Sequence, residues 1–344
     1  MNNTTISLQE QYKKLKEEKP KLRARGAAKE LGVSEAELLA ARVDGENIVR
    51  LQGPWTELIE QIESLGYVMA LTRNEWAVHE TKGTYKNVKF YDHAGVVHND
   101  KIDLRIFPQH WEFGFAAPVE NPRGTLYSLQ FFEAGGEAIH KVYMMNEDHM
   151  DDYRNLIENF RHPEQSTVIS AINNKVDYAV AKDEVDADAL LDTWKDLDHT
   201  HSFFPMLRKH KADRLHAIQL AENKFTRKVS NQSTNKILQL AAERQVPIMS
   251  FVGSRGVVQI SSCKINNVVK RNDWLNVMDP EFNLHLRENS IAESWVVQKP
   301  TDDGVITSLE IFDEDGNLIA NFFGQREFGN SELESWREIL KTLD

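Results

Sequence analysis

The tightest constraint on this 344-residue chain is that its second half repeats its first in register. Ser308-Leu309-Glu310-Ile311-Phe312 falls on Ser128-Leu129-Gln130-Phe131-Phe132, Gly316 on Gly136, Ile319 on Ile139 and Phe323 on Tyr143. Upstream of these, Gly304 falls on Gly124, Leu284-His285-Leu286 on Leu104-Arg105-Ile106, Asn267-Val268 on Asn87-Val88, Val258 on Val78 and Met249 on Met69. A single offset of 180 positions, the step from Gly124 to Gly304, serves all these separated segments without a gap. Register held over roughly 70 residues marks a duplication and not a chance likeness of hairpins.

Each copy begins with helical signals and continues with strand signals. In the first copy, Leu8, Tyr12 and Leu15 mark a short charged helix, and Pro20 interrupts the pattern. Residues 27 to 39 read as helix, glycine turn, helix, with Ser34 and Glu37 spaced as a capping box. From residue 66 to 145 the chain turns to short runs of aromatic and β-branched residues separated by turn signals: Val68 to Leu71, Trp76 to His79, Val88 to Tyr91, Leu104 to Phe107, Phe113 to Val119, Leu126 to Phe132 and Ala138 to Tyr143. These read as antiparallel strands, with Gly135-Gly136 as a hairpin turn. A helix-like segment from Met150 to Phe160 precedes a boundary between 160 and 188. The expected domains are therefore an N-terminal repeat, 1–165, and a C-terminal repeat, 183–344. Helices followed by runs of strands imply an α+β fold and not a doubly wound parallel sheet. The expectation is a tandem duplication, each half a large antiparallel β-sheet with flanking helices, leaving a cleft between the halves.

Composition narrows the function. The formal charge of −12 argues against a broad basic footprint for nucleic acid. No apolar run approaches the roughly 18 residues of a membrane span, and Met1 to Ser7 lacks the layout of a signal peptide. The single cysteine, Cys263, rules out an internal disulfide and reads as a small buried residue. A reducing cytoplasm fits these features. Residues 27 to 42 imitate a DNA-binding helix-turn-helix, but the second helix offers Glu35, Glu37 and alanines where base readout wants Arg, Lys, Asn or Gln. A DNA-binding regulator is thus the remote alternative.

The chemistry-bearing stretch is Asp198-His199-Thr200-His201-Ser202-Phe203-Phe204-Pro205. Leu190, Leu191, Trp194 and Leu197 form a helical pattern before it, and Leu207, Leu215, Ile218 and Leu220 resume one after it. Ser202 is placed to cap the following turn, where Pro205 is tolerated. His199 and His201 stand at this break, next to two aromatics, and a neutral imidazole is a good axial ligand for haem iron. A cap, surface or core histidine is the plainer reading. Position 105 differs between the copies, Arg105 against His285, so function is sought in that asymmetry. For Arg105 the plainer reading is an ion pair with Asp103. His79 reads as a structural histidine, with a second haem site as its alternative, and His93 with His98 lacks a third zinc ligand.

Taken in order, Arg50-Leu51-Gln52-Gly53, Trp76-Ala77-Val78-His79-Glu80, Asp103-Leu104-Arg105-Ile106-Phe107, His201-Ser202-Phe203-Phe204, Phe251-Val252-Gly253-Ser254-Arg255-Gly256, Ile291-Ala292-Glu293-Ser294-Trp295, Lys299-Pro300-Thr301 and Gly324-Gln325-Arg326 give the chain a family likeness. It resembles the bacterial cytoplasmic haemin-degrading and haem-trafficking factors of the HemS/ChuS/HmuS type, from Gln11-Tyr12 to Trp336. The resemblance implies haem b, as ligand and substrate, in the cleft between the halves. It implies His201 as the proximal iron ligand, with His199 as runner-up, and Arg105 as the distal residue. It implies Arg214, Lys299 and Arg326 at the haem edge and propionates. Phe323 stands where relatives often have Tyr and Asn321 where they have a longer Gln, so those positions lose polar reach. The implied activity is oxidative haem degradation for iron acquisition, with an external reductant and O2 or peroxide. The alternative is a carrier without turnover. Implied partners are an inner-membrane haem transporter and a downstream acceptor or reductase.

Overall fold

A computed structural model describes residues 6–121, 124–172, 180–327 and 329–344. The first copy opens with helices α1 (Leu8–Glu18), α2 (Ala24–Leu31) and α3 (Glu35–Ala40). Strand β1 (Val49–Leu51) and helix α4 (Trp55–Gln61) follow. The strands are then β2 (Val68–Arg73), β3 (Ala77–Gly83), β4 (Lys89–Phe90), β5 (Gly95–His98), β6 (Asp103–Ile106), β7 (Phe113–Asn121), β8 (Gly124–Phe132) and β9 (Ala138–Met144), closed by α5 (Met150–Phe160).

The second copy repeats the plan. Helices α6 (Ala187–Lys195), α7 (Phe203–Lys209) and α8 (Arg214–Leu220) lead to β10 (Thr226–Val229) and α9 (Ser233–Glu243). Strands β11 (Ile248–Gly253), β12 (Val257–Cys263), β13 (Val268–Arg271), β14 (Trp274–Met278), β15 (Phe282–Arg287), β16 (Glu293–Thr301), β17 (Gly304–Phe312) and β18 (Leu318–Gly324) precede α10 (Glu334–Lys341).

The strands form two large antiparallel sheets with flanking helices. The sequence repeat is also a register repeat. Val68 faces Met144 as Ile248 faces Gly324, and Phe113 faces Phe132 as Glu293 faces Phe312. Even the irregularity recurs, at Phe131/Phe132 and at Ile311/Phe312. Two compact units result, the first of residues 1–73, 81–175 and 254–259, the second of 74–80, 176–253 and 260–344.

In unit 1 the strands run in the order β1-β7-β8-β9-β2 and, apart from these, β6-β5-β4. Side chains alternate across a strand, so each residue type picks a layer. Leu129 and Phe131 face α4 and α5, where Leu58, Ile59, Tyr153 and Leu156 pack. Phe132 and Phe115 face the other way, toward Ala36 and Ala40 of α3. The Ser34–Glu37 capping box forms as the spacing predicts, and Gly136 takes a positive φ in the β8–β9 turn.

Unit 2 runs β10-β16-β17-β18-β11 and, apart from these, β15-β14-β13. Leu309 and Ile311 face α9 and α10, packing with Ile237, Leu238 and Trp336. Trp295, Val297 and Phe312 face α6, α7 and α8, against Trp194, Phe203 and Ile218. The alternation therefore puts Ser308 and Glu310 on the same side as Phe312, under the helices that follow His201. Short strands β1 and β5 of the first copy, and β10 and β14 of the second, were not expected from the sequence. Trp336 is fully buried and its Nε1 donates to the Thr307 carbonyl at 3.0 Å. Trp336→Ala should lower stability by about 3–5 kcal/mol, read from the denaturant midpoint; a loss below about 1 kcal/mol would contradict this packing.

Candidate functional site

The charged centre of unit 2 is Glu310, on β17, with no solvent exposure. Arg214, the first residue of α8, donates to it through Nε at 2.8 Å and Nη2 at 2.9 Å. Lys299, on β16 and 2% exposed, donates from Nζ to Glu310 Oε1 at 2.7 Å. Ser308 Oγ donates to the same oxygen at 3.0 Å. Burial alone pushes the Glu310 carboxyl up, but the Arg214 and Lys299 charges overcome it and hold it far below the usual carboxylate range. Burial pulls the Lys299 ammonium down, opposed by Glu310.

Both cations lie on aromatic faces. Arg214 Cζ is 5.1 Å from the Phe203 ring centre and Lys299 Nζ is 4.6 Å from it. Lys299 Nζ is also 5.4 Å from the Phe323 ring, which meets Phe251 edge-on at 5.1 Å. Phe203 begins α7, directly after the 3-10 turn Thr200–Ser202 that carries His201. The structure thus gathers Arg214, Lys299 and Phe323 around Phe203 and Glu310. Of these five, Phe203 was read from sequence only as an aromatic beside the histidines and Glu310 only as a strand position. The signal for Glu310 was its place on Gln130 of the first copy, a carboxylate replacing an amide inside an apolar strand.

His199 and His201 both fall at the break between α6 and α7, as expected. His201 is exposed and its ring meets that of His199 edge-on at 5.7 Å. His199 is tied locally: its Nδ1 is 3.2 Å from Ser202 Oγ and its Nε2 is 3.7 Å from Asp198 Oδ2. Ser202 does not cap α7 with its side chain; its hydroxyl donates to Asp198 Oδ1 at 2.5 Å instead. Arg326 lies apart from the Glu310 cluster's contacts, with Nη1 3.4 Å from Asp303 Oδ2. Asn321 faces Glu310 in the β17–β18 register.

Arg105, in unit 1 on β6, pairs with Asp103 and donates to the Leu104 carbonyl at 3.2 Å. The plain ion pair is therefore formed. His79 is wholly buried in unit 2, 5.0 Å from the Phe282 ring, and burial pulls its pKa down to about 3; it is a neutral core histidine. Cys263 packs partly buried against the unit 2 core. Among the described residues no group of three His, Cys, Asp or Glu side chains is placed to hold a metal ion, and no helix is long and apolar enough to cross a membrane. Helix α3 is not presented for base readout: Ala36, Leu38 and Ala40 are buried and Glu35 pairs with Arg73. A groove of about 900 Å³ in unit 2, beside Phe225, Val296 and Arg337, is lined by none of the candidate haem-contact residues.

The matching face of unit 1 carries charge differently. Lys141 replaces Asn321 in register and lies 3.6 Å from Glu35 Oε1. Burial, then Arg73 and Arg25, pulls its pKa down to about 7.

The haemin-degrading HemS.ChuX domain family matches twice, at residues 32–160 and 211–343, one match in each repeat. The hemin transport protein HmuS of Yersinia pestis is 38% identical over 339 residues, covering 98% of this chain and 97% of that protein. Holo-PhuS, a heme-binding protein from Pseudomonas aeruginosa, superposes with a TM-score of 0.94 at 41% identity, covering 98% of both chains. ChuS, an E. coli heme oxygenase, gives a TM-score of 0.88 at 36% identity, covering 98% of this chain and 99% of that one.

Two outcomes follow from these charges. Glu310→Gln should cost about 3–5 kcal/mol by stranding Lys299, and adding Lys299→Met should recover part of that loss. Because the Glu310 pKa is depressed on folding, its contribution is present above the unfolded carboxyl range and fades as pH falls below it. Additive losses in the double variant, or an unchanged acid limb in Glu310→Gln, would contradict the ion pair. Lys141 has the opposite sense: the unfolded chain binds its proton more tightly, so stability rises as pH climbs from about 7 toward the ordinary lysine range. Lys141→Met should stabilise by about 1–3 kcal/mol near neutral pH and flatten that rise, measured by denaturant unfolding across pH.

Proposed function

This chain belongs to the haemin-degrading HemS/ChuX family, and from that premise we propose that it binds haem b in the cytoplasm and opens the ring oxidatively, releasing iron for the cell. The supporting observation is the Glu310 cluster. Two cations share one buried carboxylate and lie on Phe203 at the root of the turn that carries His201. The excess positive charge suits the propionate edge of a flat, apolar, dianionic ligand, and the Phe203 and Phe323 rings suit its face.

In this reading His201, which begins the His201-Ser202-Phe203-Phe204 stretch that carries the family likeness, is the proximal ligand, with His199 as runner-up. Arg214 and Lys299 steady the propionate side, with Arg326 as a further cation. Arg105, from the N-terminal repeat (1–165), serves the C-terminal repeat (183–344) as the distal residue, exchanging its pairing with Asp103 for donation to an oxygen ligand. The iron of the substrate supplies the redox chemistry, with electrons from an external reductant and O2 or peroxide as oxidant; the chain supplies binding, orientation and hydrogen bonds. An inner-membrane haem transporter delivers the substrate, and a reductase or acceptor completes the cycle. A carrier without turnover is the second reading, favoured by the relatives described as transport and binding proteins.

Single turnover of the stoichiometric haem complex, with a physiological reductant and catalase present, tests the choice. Ring-opened product that resists catalase is expected, and Arg105→Ala should slow its formation on the order of 100-fold while leaving haem bound. Intact haem after reduction would overturn degradation and leave the carrier.

A further inference from the structure

The two copies also differ in one core of unit 1. Thr72, Tyr85 and His140 are wholly buried and joined. His140 Nδ1 lies 2.8 Å from Thr72 Oγ1, and His140 Nε2 lies 2.5 Å from the Tyr85 hydroxyl. At the repeat offset these three become Val252, Ile265 and Ala320, all in the apolar core of unit 2. Trp111 and Phe131, which extend the cluster, become Ile291 and Ile311 in that same core. The fold therefore closes here with aliphatic side chains alone. Burying a phenol, an imidazole and a hydroxyl carries a desolvation cost that Val, Ile and Ala avoid. The polar trio is not needed to build the sheet.

Acid–base exchange with solvent does not suit it. Burial holds His140 neutral, its pKa pulled down to about 3, and pushes the Tyr85 phenol far above its ordinary value. With the ring neutral, assigning its proton to Nδ1, toward Thr72 Oγ1, leaves Nε2 to accept from the Tyr85 hydroxyl. That hydrogen bond becomes productive when an electron leaves the phenol, because the oxidised phenol is a strong acid. A path for the electron is present. Tyr85 and His140 ring centres are 6.4 Å apart, His140 and Trp111 6.2 Å, Trp111 and Phe131 4.6 Å, and Phe131 and Trp55 5.8 Å. Trp55 is half-buried, and its Nε1 donates to the Trp111 carbonyl at 2.7 Å. Tyr and Trp are among the side chains most easily oxidised by one electron.

We propose that Tyr85, His140 and Thr72 form a proton-coupled redox site, which Trp111 and Trp55 connect to the surface. One electron passes from Tyr85, by way of the tryptophans, to an oxidant. The phenolic O–H bond breaks, its proton moves to His140 Nε2, and a neutral tyrosyl radical remains beside an imidazolium donating to Thr72 Oγ1. An electron from a soluble thiol or enediol reductant, entering at Trp55, and return of the proton restore the phenol. The oxidant is a one-electron acceptor of the strength reached when peroxide meets haem iron. The site does not depend on haem binding to this chain; in a protein that handles haem it drains oxidising equivalents from the surroundings of the substrate.

The test uses the full haem-free chain and photogenerated ruthenium(III) tris-bipyridine as oxidant, followed by transient absorption and electron paramagnetic resonance. The wild type should give a tyrosyl radical. Tyr85→Phe should remove that signal. His140→Gln, which keeps an acceptor but not a base, should slow radical formation by more than an order of magnitude. The triple variant Thr72→Val, Tyr85→Ile, His140→Ala installs the residues that unit 2 packs at these positions, so folding is separable from chemistry; folded by circular dichroism, it too should lack the signal. No tyrosyl radical in the wild type, or the same radical in Tyr85→Phe or in the folded triple variant, would overturn the proposal.

Discussion

A carboxylate with no solvent exposure in the middle of an apolar strand is tenable only where its charge is met on the spot. Glu310 meets that condition through two cations and a hydroxyl. Removing Glu310 and Lys299 from water costs several kcal/mol per ion, so any loosening of the geometry is heavily penalised. The consequence is positional. Glu310 ties the first residue of α8 to the centre of β17, and both cations press on Phe203, the first residue of α7. The turn with His199 and His201 is thereby anchored at its root while its imidazoles stay at the surface.

The first copy solves the same structural problem without that carboxylate. Gln130 replaces Glu310 and hydrogen-bonds to Ser128 at 3.0 Å. The negative charge comes from the helix side, as Glu35, and the cations from β2 and β9, as Arg73 and Lys141. One backbone frame thus supports two charge layouts across a sheet–helix interface. Divergence after duplication has left the second copy with cations gathered on Glu310 and the first with a buried polar trio.

Local features were legible in the sequence because their causes are local. Short runs of aromatic and β-branched residues between turn signals marked most strands of the first copy, Met150–Phe160 read as its helix, and Ser34 with Glu37 as its capping box. The offset from Gly124 to Gly304 gave the duplication, and strand register follows it down to the paired irregularities. Short strands such as Val49–Leu51 carry too few residues for a pattern to show. The Ser202 cap failed because Asp198, four residues earlier, competes for its hydroxyl. Arg214 and Lys299 were named only through family likeness, for a physical reason. Their partner, Glu310, is 96 residues from one and 11 from the other, and no local pattern joins them. Arg105 shows the reverse case: its neighbour Asp103 predicted the ion pair that forms.

The central proposal is that an imidazole at the α6–α7 break binds iron, and that it is His201 and not His199. Haemin titration into the wild type, His201→Ala and His199→Ala, followed by optical spectra, tests it most directly. The account predicts stoichiometric Soret and charge-transfer bands in the wild type and in His199→Ala, and their loss in His201→Ala. Wild-type spectra in His201→Ala would contradict it.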